Sequence, residues 1–194
     1  MRPSPLLVMA AAMLLGACAA PAGTTPGQRS PSASSSQPGS AGPSGGSTTA
    51  ADPLLALRLV DVASGQPFTL GDLAADRPVL LETMATWCPN CRQQQRAIVD
   101  AHALGDFHSV SIDVDLSETA ADLAEYADRE GFDWRFAVAD ASLYQELQQR
   151  FGVAVTNPPS TPLLVIGSDG SVRPLEFGRG VRSAQELLTE LGLG

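Results

Sequence analysis

Two cysteines stand two residues apart in Trp87-Cys88-Pro89-Asn90-Cys91, just after the apolar run Val79-Leu80-Leu81 and just before a helical pattern. A Cys-x-x-Cys pair at a strand-to-helix junction is equipped for thiol-disulfide exchange. At the N-terminus of a helix a thiolate meets free backbone N–H groups and the positive end of the helix dipole, which lowers its pKa. That placement makes Cys88 the nucleophile. Cys91, one turn along and expected to be the more buried, then resolves the mixed disulfide. The same two thiols could form half of a zinc site, but zinc needs two further Cys or His ligands. The chain offers only the isolated His102 and His108. A Cu(I)-binding module using Cys88 and Cys91 would lack a third His ligand or a Met-rich patch, so no metal site is assigned.

The third cysteine belongs to a different signal. Residues 1–17 have a short positive start, an apolar stretch from Leu6 to Leu15 and small residues before Cys18. This is the layout of a secretory signal peptide, and its apolar run is too short for a permanent membrane span. Leu15-Gly16-Ala17-Cys18 resembles the bacterial lipobox, in which the cysteine is diacylated and becomes the acylated N-terminus. Two or more acyl chains anchor a protein stably where one does not. With Cys18 consumed, the remaining pair closes too short a loop to act as a structural staple. The formal net charge is −9, which leaves no basic patch for nucleic acid and no electrostatic attraction to anionic lipid. Membrane attachment would come from the lipid on Cys18.

The elements that must position Cys88 and Cys91 follow a tether. Residues 18–51 carry the lipidated cysteine and then almost only Pro, Gly, Ser, Thr and Ala. A flexible coil of about 33 residues has an r.m.s. reach of roughly 30 Å. Residues 52–194 are about the size of one domain. Strand patterns fall at Leu54–Val60, Val79–Met84, Phe107–Val114 and Phe136–Ala139. Leu163–Ile166 and Val172–Leu175 flank the hairpin signal Ser168-Asp169-Gly170. Helical patterns fall at Arg92–Leu104, at Ser117–Arg129 with Ser117 as N-cap and Gly131 as stop, and from Asp140 to Gly152. The capping box Ser183-Ala184-Gln185-Glu186 opens the last helix. Strands alternating with helices and ending in a hairpin and a helix give a three-layer α/β domain with a mixed sheet.

The order strand, Trp-Cys-x-x-Cys, helix, then Thr161-Pro162 leading into a hairpin and a helix, resembles the thioredoxin fold. More narrowly, Pro78 to Arg92 looks like the TlpA-like family of extracytoplasmic, membrane-tethered thiol-disulfide oxidoreductases, related to the alkyl hydroperoxide reductase group. The resemblance implies a thioredoxin-like fold with helices on both faces of a mixed central sheet and an inserted strand-helix unit, here Ser111 to Phe132. It implies protein thiol or disulfide substrates, a membrane electron donor or acceptor, and no cofactor beyond the redox-active Cys88-Cys91 pair. It places a cis-proline at Pro162, after Thr161, packed against the cysteine loop and presenting backbone to substrate. It places a buried carboxylate at Glu82, where burial would raise the pKa and let the group take the proton of Cys91. The alternative for Glu82 is an exposed strand face. Trp87 would cover the site and shape the docking surface. A reductase direction rests on the resemblance alone, since the Pro89-Asn90 pair between the cysteines leaves the potential open. A peroxidase of the related peroxiredoxin group would need Thr three residues before the nucleophile, and that place is Ala85.

Labelled palmitate should enter the protein in cells through Cys18, and Cys18→Ala should lose both label and stable tethering. Label retained in Cys18→Ala, or absent from the wild type, would contradict the lipobox.

Overall fold

The computed structural model describes residues 52–194. The expected signal peptide, Cys18 and the tether lie outside the described residues. The chain runs through α1 (Pro53–Ala56), β1 (Arg58–Val60), β2 (Pro67–Thr69), α2 (Leu70–Asp76), β3 (Val79–Met84), α3 (Pro89–His102), β4 (His108–Asp113) and α4 (Ala120–Glu130). It continues through β5 (Arg135–Val138), α5 (Ala141–Phe151), two 3-10 turns (Val153–Thr156 and Pro158–Ser160), β6 (Leu163–Ile166), β7 (Val172–Pro174) and α6 (Ala184–Leu191).

Five strands form one sheet in the order β5-β4-β3-β6-β7, with a separate β1-β2 hairpin. β3 pairs in parallel with β4 and antiparallel with β6, so the sheet is mixed and β3 is central. All six β3 residues are buried. A strand covered on both faces reads as a continuous apolar run rather than an alternation, as Val79-Leu80-Leu81 does. One face packs Val79, Leu81, Val110, Ile112, Leu164 and Ile166 against α1, α2 and α5. On the other face Leu80, Leu163 and Val165 meet α3 and α6, and Met84 and Phe136 meet the cysteines and α4. This is the expected three-layer arrangement, with helices on both faces of a mixed sheet.

Several local expectations are corrected. Leu54–Val60 is not one strand: Asp52 accepts the Leu54 N–H at 3.0 Å, and Pro53 sits at the first helical position, so a turn of helix precedes the short β1. α4 is capped by Thr119 in a reciprocal box with Asp122 rather than by Ser117. Ser117 instead gives its N–H and hydroxyl to Asp115. Its Gly131 stop is left-handed, at φ 71°, as expected. The inserted unit does not start at Ser111, which lies on β4 and pairs with Glu82 of β3. β3, α3 and β4 already make a complete parallel crossover, so the added unit is α4 followed by β5, the outer strand.

Candidate active site

Cys88 stands where β3 hands over to α3. It is the N-cap of that helix: its Sγ accepts the Cys91 N–H at 3.1 Å, and its own N–H donates to the Ala85 carbonyl at 3.0 Å. Pro89 occupies the first helical turn, where a missing N–H costs nothing. Cys88 and Cys91 form a disulfide with Cα atoms 5.3 Å apart. The expected difference in burial is absent, because Cys88 is 1% exposed and Cys91 0%. Hydrogen bonding distinguishes them instead. Cys88 receives the helix N–H that would stabilise a thiolate, whereas Cys91 Sγ lies 3.3 Å from the Pro158 carbonyl oxygen, an acceptor for its thiol once reduced.

That last contact corrects the proline assignment. Every peptide bond among the described residues is trans, including the one before Pro162. Thr161 makes the chain reversal by adopting φ 49°, an uncommon region for a β-branched residue. Its hydroxyl bonds to the Ser160 and Gly180 carbonyls, which hold it there. Pro162 is buried and its carbonyl receives the Thr83 N–H at 3.2 Å, so it fastens β6 to β3. The backbone that reaches the cysteines comes from the preceding 3-10 turn. Pro158 meets Cys91, and Pro159 accepts the Asn90 amide at 3.0 Å.

Glu82 is fully buried, which rules out the exposed strand face. Its side chain shares the sheet face of Leu80 and Met84, beneath α3. One carboxyl oxygen accepts from Gln95 at 2.9 Å and from Ser111 at 3.2 Å, while the other has no partner. Burial pushes the Glu82 carboxyl up to about 8, against the lowering effect of those two hydrogen bonds. Gln95 is one helical turn beyond Cys91 on the buried face of α3, so its bond ties the Glu82 carboxyl to the helix that carries both cysteines. Tyr126 donates to Gln95, and Trp134 donates to Ser111 at 3.0 Å. Burial also raises the Tyr126 phenol.

Trp87 is 57% exposed beside the buried disulfide, and its indole N–H donates to Asp115 at 2.7 Å. The neighbouring Thr86 gives both its N–H, at 2.9 Å, and its hydroxyl to Glu118. That hydroxyl is thus committed to the β4–α4 loop. Asp113, at the end of β4, is fully buried. The sequence reading missed Gln95, Ser111, Tyr126, Thr86, Asp113, Asp115 and Glu118. The alternation of Ser109, Ser111 and Asp113 was the one signal, for Ser111 and Asp113 alone, and it mimics a solvated strand face. His102 ends α3 and His108 opens β4 opposite Val79, at the end of β3 remote from the cysteines. Among the described residues no three His, Cys, Asp or Glu side chains are grouped to hold a metal ion.

No curated protein sequence matches the chain. Solved structures do. A secreted Mycobacterium tuberculosis disulfide oxidoreductase, described as homologous to E. coli DsbE, is 17% identical with a TM-score of 0.57, covering 73% of this chain and 98% of that one. A thioredoxin-family thiol:disulfide interchange protein of Chlorobium tepidum TLS is 20% identical with a TM-score of 0.51, covering 71% and 93%. A thioredoxin-related protein of Neisseria meningitidis serogroup B is 16% identical with a TM-score of 0.55, covering 70% and 96%. At these identities the likeness is one of fold, and the fold is thioredoxin-like. The family model described as Redoxin matches residues 37–188, most of the chain. A cysteine pair set at the first turn of α3 in such a fold is the equipment of a thiol-disulfide oxidoreductase, and the chain belongs to the Redoxin family.

Proposed function

We propose that this protein is a TlpA-like oxidoreductase that works outside the cytoplasm, held to a bacterial membrane by lipid on Cys18, and that it reduces disulfides in protein clients. The observation that carries the reading is the Cys88-Cys91 disulfide at the N-terminus of α3, with the Cys91 N–H directed at Cys88 Sγ. In the reduced protein the Cys88 thiolate attacks a client disulfide, forming a mixed disulfide and releasing one client thiolate. Cys91 gives up its proton and attacks Cys88, which expels the second client thiolate. The client gains two electrons and the pair returns to the disulfide, to be reduced again by a membrane donor.

Glu82 in its ionised form takes the Cys91 proton. A carboxyl held near 8 is about one-tenth ionised at pH 7, and that ionised fraction is a strong base for a carboxylate. One observation supports the reductase direction. Asp115 and Glu118 lie in the loop that contacts Thr86 and Trp87, and negative charge beside a thiolate destabilises it. A dithiol whose thiolate is poorly stabilised is the better reductant. A protein client suits the surface: the exposed Trp87 flanks the disulfide, and the cleft of about 450 Å³ near Asp61 and Phe132 is not lined by either cysteine. The extracytoplasmic location rests on the N-terminal signal and on the secreted relative.

Cys88→Ser should abolish turnover of a model protein disulfide, and Cys91→Ser should stall as a mixed disulfide. Alkylation of the reduced protein at mildly acidic pH should label Cys88 first, and preferential labelling of Cys91 would reverse the assignment. Glu82→Gln should slow the resolving step more than tenfold near neutral pH, since general-base help contributes about 10²- to 10⁴-fold. The defect should shrink as rising pH ionises Cys91 unaided. The same variant should be more stable above pH 5. A carboxyl whose folded pKa is raised binds more protons folded than unfolded, so wild-type stability falls as pH rises from about 4.5 through about 8. Stopped-flow fluorescence and denaturant melts across pH check both. An unchanged rate and pH profile would exclude Glu82 from proton transfer.

A further inference from the structure

Asp113 is an unusual group to leave at the end of a buried strand. One carboxyl oxygen accepts the Asp115 N–H at 2.9 Å, and the other, Oδ2, is buried with no hydrogen-bond donor facing it. An ionised carboxylate in that position would strand a buried charge without a donor to offset its desolvation. The Glu118 carboxyl neighbours the Asp113 side chain. Two carboxylates this close cannot both ionise cheaply. A proton on Asp113 removes the repulsion and turns the orphan into a donor. Glu118 is then a carboxylate that gathers the Thr86 N–H, the Thr86 hydroxyl and the Asp113 hydroxyl. Thr86 and Trp87 are the two residues before Cys88, and Trp87 is tied by its indole to Asp115 of the same loop.

We propose that Asp113 and Glu118 share one proton and act as a positioning pair for the exchange reaction, Asp113 donating to Glu118 while Glu118 clamps the Thr86-Trp87 backbone that aims Cys88 at its client. The inference rests on the oxidoreductase reading above and adds residues that do not touch the sulfurs. The charged groups facing Asp113 are Glu118 and Asp115 on its own loop, both acidic. On the same sheet face, Glu82 of β3 is engaged by Gln95 and Ser111. From the start of α3 come the two cysteines, which do not titrate while oxidised. Burial, with Glu118 adding to it, pushes Asp113 up to about 8. Below that pH the clamp is closed. Above it Asp113 ionises, the two carboxylates repel each other and Thr86 is released.

In the oxidised full chain no thiol titrates, and Glu82→Gln removes the other buried acid held near 8. With Trp134→Phe in place so that Trp87 reports alone, its emission should step near pH 8. The step should vanish in Asp113→Asn and persist in Glu82→Gln. A step that survives Asp113→Asn, or a wild type with no step, would overturn the pairing. In exchange assays at pH 7, Asp113→Ala and Glu118→Ala should lose at least fivefold in rate. Asp113→Asn, whose amide still donates to Glu118, should recover most of the rate and lose the alkaline change in profile. Equal rates in Asp113→Ala and wild type would reduce the pair to packing. A wild type without exchange activity would refute the oxidoreductase reading, while the fluorescence titration would still judge the pair.

Discussion

The sulfur of Cys88 is the N-cap of α3, and the surrounding architecture serves that one placement. A helix N-terminus leaves backbone N–H groups unmatched, which side-chain oxygens usually satisfy. Here the Cys91 N–H points at Cys88 Sγ instead. The helix therefore supplies the electrophilic environment a thiolate needs, and the spacing that caps the helix also sets Cys91 within disulfide reach. β3 fixes where this happens. It is buried on both faces and pinned on both edges, by β4 in parallel and β6 antiparallel, so its C-terminal end is a fixed platform for the loop. Sites in open α/β sheets lie at the carboxyl ends of strands for this reason.

Around that platform the protein keeps polar groups that a purely structural core would exclude. Glu82 and Asp113 are both fully buried, and each has an oxygen without a partner. Both lie on the sheet face beneath α3, where hydrogen bonds from Gln95, Ser111 and the Asp115 backbone only partly offset desolvation. The consequence is two acids held protonated near neutrality, at a cost in stability as pH rises. Their positions divide the work. In the proposed mechanism Glu82 serves Cys91, and Asp113 acts through Glu118 and Thr86 on the chain entering Cys88. Buried, incompletely paired acids cost stability, and such costs are common at functional sites.

Much of this was legible because the signals were local. The strand-cysteine-helix order, Asp140 and Gly152 bounding α5, the hairpin at Ser168-Asp169-Gly170 and the capping box at Ser183 each depend on a few adjacent residues, and each stands as expected. The inserted unit was misplaced because Ser111 alternates with Val110 and Ile112 as an edge strand would, although β4 is an interior strand. Asp113 was invisible for the same reason, since polar residues at every second position imply solvent unless the helix covering them is known, and Glu118, in the loop after β4, has no periodic signal. The proline failed differently. Which of Pro158, Pro159 and Pro162 approaches Cys91 depends on the left-handed turn at Thr161, and no residue type announces a threonine there.

The most direct test of the central claim is equilibrium reduction of the Cys88-Cys91 pair in graded thiol-disulfide buffers, followed by Trp87 emission and by mass after alkylation. A reversible two-electron transition, with both thiols gained together in a chain that stays folded, is the predicted result. A pair that resists reduction until the chain unfolds would mark the disulfide as a structural cross-link and contradict the account.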